Sequence, residues 1–304
     1  MKYRYLTFVA VVLALVGCET VVKFEVPELE DQLVIHGLML PDTTNHLSIG
    51  ISQNILDDYG SGQNLEPRDA VVYIEGNGIQ YPFYYDMNTY SYKLNVKALE
   101  VGTNYILRAS YNQLPIAEGS FQIPEAVSFE ITDIRNSGTN NNPETTYSIQ
   151  INDNGSTRQY YMARIAYQYL SEPQDGSEPE YLYSFSGLES NFPGTQEIYI
   201  NRPELLIYNG NFDQSNELDL IESDYVNDFP QQRDGIYTGK FLALYHISKS
   251  YYDYLLSANA NEDAQQNPLA EPVQIRSNVT NGFGVIGGAS VYLVRLPDPQ
   301  LSGK

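Results

Sequence analysis

Leu99-Glu100-Val101-Gly102-Thr103-Asn104-Tyr105-Ile106-Leu107 is the stretch whose reading decides the fold class. Gly102-Thr103 marks a turn, and Asn104-Tyr105-Ile106-Leu107 opens a strand directly after it. A tyrosine just past such a turn can return its hydroxyl to the backbone it has left and pin a corner between two sheets. Tyr105 is placed to do so; a buried strand tyrosine without that bond is the alternative. Outward from this corner, strand follows strand. Leu33-Val34-Ile35-His36-Gly37-Leu38 is a continuous apolar run, and Leu47, Ile49 and Ile51 alternate with polar residues. Residues 70–75 and 79–85 flank Gly76-Asn77-Gly78 as a hairpin, 90–96 follows, and 114–123 closes the unit at Pro124-Glu125.

The corner resembles that of fibronectin-type and immunoglobulin-like folds, so residues 33–125 are expected to form a β-sandwich domain of that kind. Residues 126–304 are then a second β-rich domain, with strands at 127–135, 146–151, 158–170, 181–186, 196–200, 239–247 and 290–295. Tyr160, Met162 and Arg164 alternate against Tyr161, Ala163 and Ile165. Residues 137–143 and 171–179 read as polar surface loops, and 217–228 as an acidic, irregular connection. One helix is expected at 248–259, with Ser248 as its cap and Tyr251, Leu255, Tyr254 and Ala258 at helical spacing. The expected class is all-β with one short helix near the C-terminus.

The N-terminus sets the address. Lys2 and Arg4 precede the apolar residues 6–15, and Leu15-Val16-Gly17-Cys18 ends the segment. Ten residues at a helical rise reach about 15 Å, half a hydrocarbon core, so an export signal is expected over 1–17 and not a membrane span. Leu-Val-Gly-Cys resembles the lipobox of bacterial lipoproteins, which implies diacylglycerol on the Cys18 thiol, cleavage before it, and a lipidated tether over 18–32. Two or three acyl chains hold a protein on a bilayer stably. Cys18 is the chain's one cysteine, so no internal disulfide is available and stability must come from packing. Removal of Lys2 and Arg4 with the signal takes the 17 basic residues to 15 against 38 acidic, a net charge of −23. Such a surface repels nucleic acid and anionic headgroups, leaving membrane attachment to the lipid.

Residues that carry chemistry are sparse. His36, His46 and His246 form no ligand-spaced pair and no metal site is expected from them. No G-x-S-x-G elbow is present. Gly282-Phe283-Gly284-Val285-Ile286-Gly287 spells G-x-G-x-x-G, but a strand follows where a dinucleotide site needs a helix, so these glycines are read as a close passage between strands. Glu217, Asp219, Glu222, Asp224 and Asp228 offer oxygens for calcium without EF-hand spacing, and a solvated acidic loop is the stronger reading. The chain lacks tryptophan but has 27 tyrosines. Tyr81, Phe83, Tyr84, Tyr85, Tyr90 and Tyr92, then Tyr160, Tyr161, Tyr167, Tyr169, Tyr181 and Tyr183, form two groups. Strand alternation should send about half of each inward and half outward; the outward half reads as ordinary sheet-face tyrosines, with a rigid recognition surface as the alternative.

Tyr245-His246-Ile247-Ser248, Tyr251-Tyr252-Asp253-Tyr254-Leu255, Asn267-Pro268-Leu269-Ala270-Glu271-Pro272-Val273 and Ser277-Asn278-Val279-Thr280-Asn281-Gly282-Phe283-Gly284-Val285-Ile286-Gly287-Gly288 resemble motifs of a family of Bacteroidota lipoproteins, domain of unknown function 4249. Leu33-Val34-Ile35-His36-Gly37 and Ala70-Val71-Val72-Tyr73-Ile74 fit it as well, whereas Val285-Ile286 stands where the family pattern is more aromatic. The resemblance implies an outer-membrane lipoprotein, often encoded beside TonB-dependent receptors. The expected role is a non-enzymatic, surface-exposed accessory that captures substrate for such a transporter or covers it, with no cofactor. A cell-surface structural or adhesive protein that binds a protein partner is the alternative.

Overall fold

The computed structural model describes residues 30–52, 66–94, 99–139, 142–153, 157–171, 179, 181–193, 195–198, 204–211, 216–223, 235–267 and 269–297. The signal, Cys18, most of the tether, Asp224 and Asp228 lie outside them. One continuous ten-stranded sheet runs in the order β13 (Thr195–Ile198), β14 (Glu204–Tyr208), β11 (Tyr160–Leu170), β16 (Ile236–Ile247), β18 (Gly282–Arg295), β1 (Leu33–Met39), β2 (Asn45–Ile51), β6 (Ser91–Leu94) and β5 (Tyr84–Asp86), with β12 (Tyr181–Ser186) on β11. A five-stranded sheet follows the order β17 (Val279–Thr280), β8 (Ala117–Gln122), β7 (Asn104–Ser110), β3 (Val71–Gly76) and β4 (Ile79–Pro82). A third joins β15 (Glu217–Ser223), β10 (Asn142–Ile151) and β9 (Phe129–Thr139). The helix α1 spans Lys249–Gln265. This is the all-β architecture with one C-terminal helix that the strand pattern predicts.

β18 joins the two halves. Residues 282–288 run parallel to β1, and 289–295 run antiparallel to β16. Strand pairing therefore cuts across the expected boundary at residue 125, because β17 and the first half of β18 complete the N-terminal sandwich. Alternation along β18 sorts the layers. Ile286 packs into the core between β1, β2 and the five-stranded sheet, and Val294 into the core beneath the three-stranded sheet. Val285, Ala289 and Val291 point the other way, toward Tyr251, Tyr252 and Leu255 of α1. Both small sheets thus lie on one face of the long sheet and the helix on the other.

The corner closes as its sequence predicts: the Tyr105 hydroxyl accepts the Glu100 backbone N–H at 2.7 Å, and its ring stacks on Phe121. Residues 79–85, read as one strand, change sheets at Phe83, whose N–H binds Val72; β4 belongs to one layer and β5 to the other. Of the expected polar loop, residues 137–139 and 142–143 are strand and form the outer ends of β9 and β10. The helix outlasts its expected end by six residues. Ser248 stands at its cap position without capping a backbone N–H of the helix; its hydroxyl accepts the Gly288 N–H from the adjoining strand and meets the Ser250 hydroxyl. Asn278 imitates a strand residue. Its amide takes the Ile286 N–H, donates to the Ile286 carbonyl, and also donates to Ser120 in the facing sheet.

Gly284 and Gly288 set how closely β18 can approach. Gly284 has φ +98°, and a Cβ there would collide with the Ile35 carbonyl; one at Gly288 would collide with the Gln122 carbonyl. Gly284→Ala is expected to destabilise the protein by about 3 kcal/mol or more in urea denaturation, because positive φ and a backbone collision combine. Gly50→Ala, at a strand position with nothing within 4 Å of the added carbon, should change stability by less than about 1 kcal/mol.

Candidate functional site

Three strand ends converge at the end of the long sheet opposite the one where the chain comes into β1. Leu170 pairs with both Tyr181 and Ile236, and Tyr169 pairs with Tyr237. The register of β16 shifts here: Gln168 faces Gly239 and Tyr169 faces Tyr237, so Thr238 is the extra residue of a bulge. Its hydroxyl bonds the Gln168 carbonyl at 3.1 Å, and the Gln168 amide reaches the Tyr183 hydroxyl at 2.7 Å. The bulge turns Tyr237 beside Tyr169, with ring centroids 5.8 Å apart at 64°. Tyr181, Ile236 and Tyr237 stand 39% to 60% exposed. Rigid aromatics around a fixed bulge make a low-entropy recognition surface. Tyr181 belongs to the predicted tyrosine groups; Ile236 and Tyr237 fall outside the sequence pattern because the bulge breaks the alternation that would extend their strand.

The two groups divide much as alternation demands. Phe83, Tyr92, Tyr161, Tyr167 and Tyr169 are buried, Tyr81, Tyr85, Tyr160 and Tyr183 half-buried, and Tyr84, Tyr90 and Tyr181 exposed. Burial pushes the Tyr92 hydroxyl up to about 12 against the lowering effect of the Ala70 N–H that it accepts; the same hydroxyl donates to the Pro67 carbonyl. Burial, aided by a bond to Asp153, raises Tyr161 as well.

A second surface is an open groove of about 950 Å³ between the first turn of α1, residues 274–278 and the start of β18. Phe283 and Gly282 lie on β18, with Ser250 and Asp253 on the helix. The Asp253 carboxylate accepts Lys249 and, at 3.1 Å, Arg276. The G-x-G-x-x-G glycines are thus strand residues at a close passage, with no helix behind them to hold a pyrophosphate.

The histidines separate onto two faces. His36 faces Ser48 in register, and His46 lies two residues along on the same outer face, where its Nδ1 is 3.0 Å from the Ser91 hydroxyl. His36 keeps an exposed edge while its ring packs between Tyr251 and Tyr254, and this crowding lowers its pKa by desolvation. His246 is buried on the opposite face, against Tyr161 and 2.7 Å from the Glu125 carbonyl. Desolvation lowers its pKa against the opposing pull of Glu125 and Asp153. Among the described residues no three His, Cys, Asp or Glu side chains converge where a metal ion could sit.

The acidic connection is corrected. Its described part, residues 217–223, is β15, a strand, and alternation parts its carboxylates. Asp219 points outward to Arg135 at 2.8 Å and Ser148 at 2.6 Å. Glu222 points into the core, where it accepts Lys240 at 2.5 Å, Tyr147 at 2.7 Å and Tyr167 at 3.0 Å. It therefore ties the three-stranded sheet to β11 and β16. On the helix side, Arg164 lies 3.8 Å from the Phe185 ring centroid and 4.4 Å from that of Tyr245, with Nη1 3.2 Å from Glu204. Its Nε is buried without a hydrogen-bond partner.

The family model that matches this chain covers residues 19–293 and is described as Domain of unknown function (DUF4249). No curated protein matches the chain.

Lys240→Met is expected to cost about 3–5 kcal/mol by leaving Glu222 charged and unpaired in the core, and Glu222→Leu with Lys240→Met to recover at least about half of that; urea unfolding of the single and double variants checks both. His246 supplies a pH test. Unfolded, its imidazole takes a proton as pH falls through the ordinary value of 6.5; folded, it does so only at lower pH. Protons therefore favour the unfolded chain, and stability falls as pH drops through that window. His246→Gln should flatten the corresponding slope of Tm against pH.

Proposed function

The chain belongs to the family described as Domain of unknown function (DUF4249), and on that premise we propose that it is an outer-membrane lipoprotein, exposed at the cell surface, which assists a TonB-dependent transporter without catalysis. It captures substrate for the transporter or covers its entrance. The observation that carries this reading is the opposition of two ends: residue 33 begins β1 at one end, and Tyr181, Ile236 and Tyr237 crown the other. Acyl chains on Cys18 would hold the first end and leave the aromatic tip free for a partner. The continuous sheet between them supports a rigid spacer, since β18 pairs with strands of both halves. A net charge of −21 over the full sequence keeps the body off anionic surfaces.

The test is purification of the native protein from its own membrane in mild detergent. A receptor barrel should accompany it in stoichiometric amount, and its N-terminal peptide should carry fatty acid on Cys18. Tyr181→Ser with Tyr237→Ser should lower recovery of the receptor about tenfold or more while leaving Tm unchanged. Lipidated protein without a barrel would replace the transport role with the structural or adhesive one. Protein without fatty acid would overturn both.

A further inference from the structure

The end of the first sandwich that receives the chain carries a rim of exposed apolar side chains. β1 starts here at Leu33, opposite Ile51 at the end of β2. β3 starts here at Val71, opposite Ser110 at the end of β7. Ile116 immediately precedes β8, and Asn281, in the turn between β17 and β18, donates to its carbonyl. The turn after β5 holds Met87 and Tyr90, which has φ +50°. Arg68 links this turn to the start of β3, its guanidinium 5.8 Å and 5.9 Å from the ring centroids of Tyr85 and Tyr90. Val71, Met87, Tyr90 and Ile116 are 56% to 64% exposed. They lie on three separate loops or strand starts at one end of the sandwich.

We infer that this end rests on a bilayer, with Val71, Met87, Tyr90 and Ile116 in the headgroup layer of the membrane that holds the acyl chains. The inference rests on the lipoprotein reading above and adds an orientation to it. Eleven residues lie between Cys18 and Glu30, and even fully extended the twelve steps span about 43 Å at most. β18 alone has 14 residues, about 46 Å, and it leads away from this end toward the tip. The anchor therefore brings the rim to the membrane first. Tyrosine suits the water-lipid boundary, and apolar side chains on short loops enter it without exposing unpaired strand backbone. Asp31, Glu66, Asp69 and Asp86 stand around the same end, so the surface it fits has zwitterionic headgroups, with anionic ones repelled.

The lack of tryptophan makes the test direct. Val71→Trp, Ile116→Trp and, at the tip, Ile236→Trp are prepared singly in the acylated full-length protein and reconstituted on phosphatidylcholine vesicles containing brominated lipid. All three positions are exposed, and a Tm equal to that of the parent confirms folding. Fluorescence of the first two should be quenched about twofold or more strongly than that of Ile236→Trp, as expected of side chains held in the interface. Equal quenching at the three sites, or stronger quenching at Ile236→Trp, overturns the orientation while leaving the lipoprotein reading intact. A protein that carries no fatty acid and fails to float with the vesicles removes the lipoprotein reading, and the orientation falls with it.

Discussion

The close approach of β18 to the backbones on either side of it is the contact on which the architecture depends. A side chain at Gly284 would strike the Ile35 carbonyl, and one at Gly288 the Gln122 carbonyl. Their absence lets a single strand run parallel to β1 for half its length and antiparallel to β16 for the other half. Two sandwiches thereby share one sheet, with an interface made of backbone hydrogen bonds in place of a linker. Adjacent domains in one chain ordinarily move relative to one another unless their interface is extensive. A shared sheet is such an interface.

Polar groups then register the layers that apolar burial alone would leave free to slide. Tyr105 ties its corner to Glu100, and Asn278 clips the edge of β18 to β8's sheet. Glu222, Lys240, Tyr147 and Tyr167 bind the three-stranded sheet to the long one. Each places a strong hydrogen bond where only one relative position satisfies it. A buried ion pair contributes little net stability because desolvation offsets its attraction. Its consequence is the penalty on any arrangement that separates the partners.

The same layering directs side chains outward at two opposite ends. At one, the bulge at Thr238 turns Tyr237 beside Tyr169; at the other, turns and strand starts expose single apolar residues. Between them, Arg164 is stacked between rings and His246 is bonded to a carbonyl. Recognition at the ends, with a packed and polar-locked body between, is the division of labour that the proposed function assigns.

Period-two alternation made most strands legible, though not β14, β15, β17 or the first half of β18, because a sheet with one buried face repeats apolar residues at every second position. The tyrosine after Gly102 made the corner legible, and spacing made the helix legible. Residues that depart from local pattern were decided by partners distant in sequence. Glu222 reads as one of a run of solvated acids until Lys240, eighteen residues on, meets it in the core. Ser248 reads as a helix cap until Gly288 takes its hydroxyl. The pairing of β18 with β1 joins residues about 250 positions apart in a parallel register, which no local periodicity encodes. Local sequence thus determined which segments become strands and which face of each is apolar, since that depends on neighbours along the chain. Only tertiary structure decided which strands share a sheet and which charges are buried, since these depend on what the remaining edges and faces can accept.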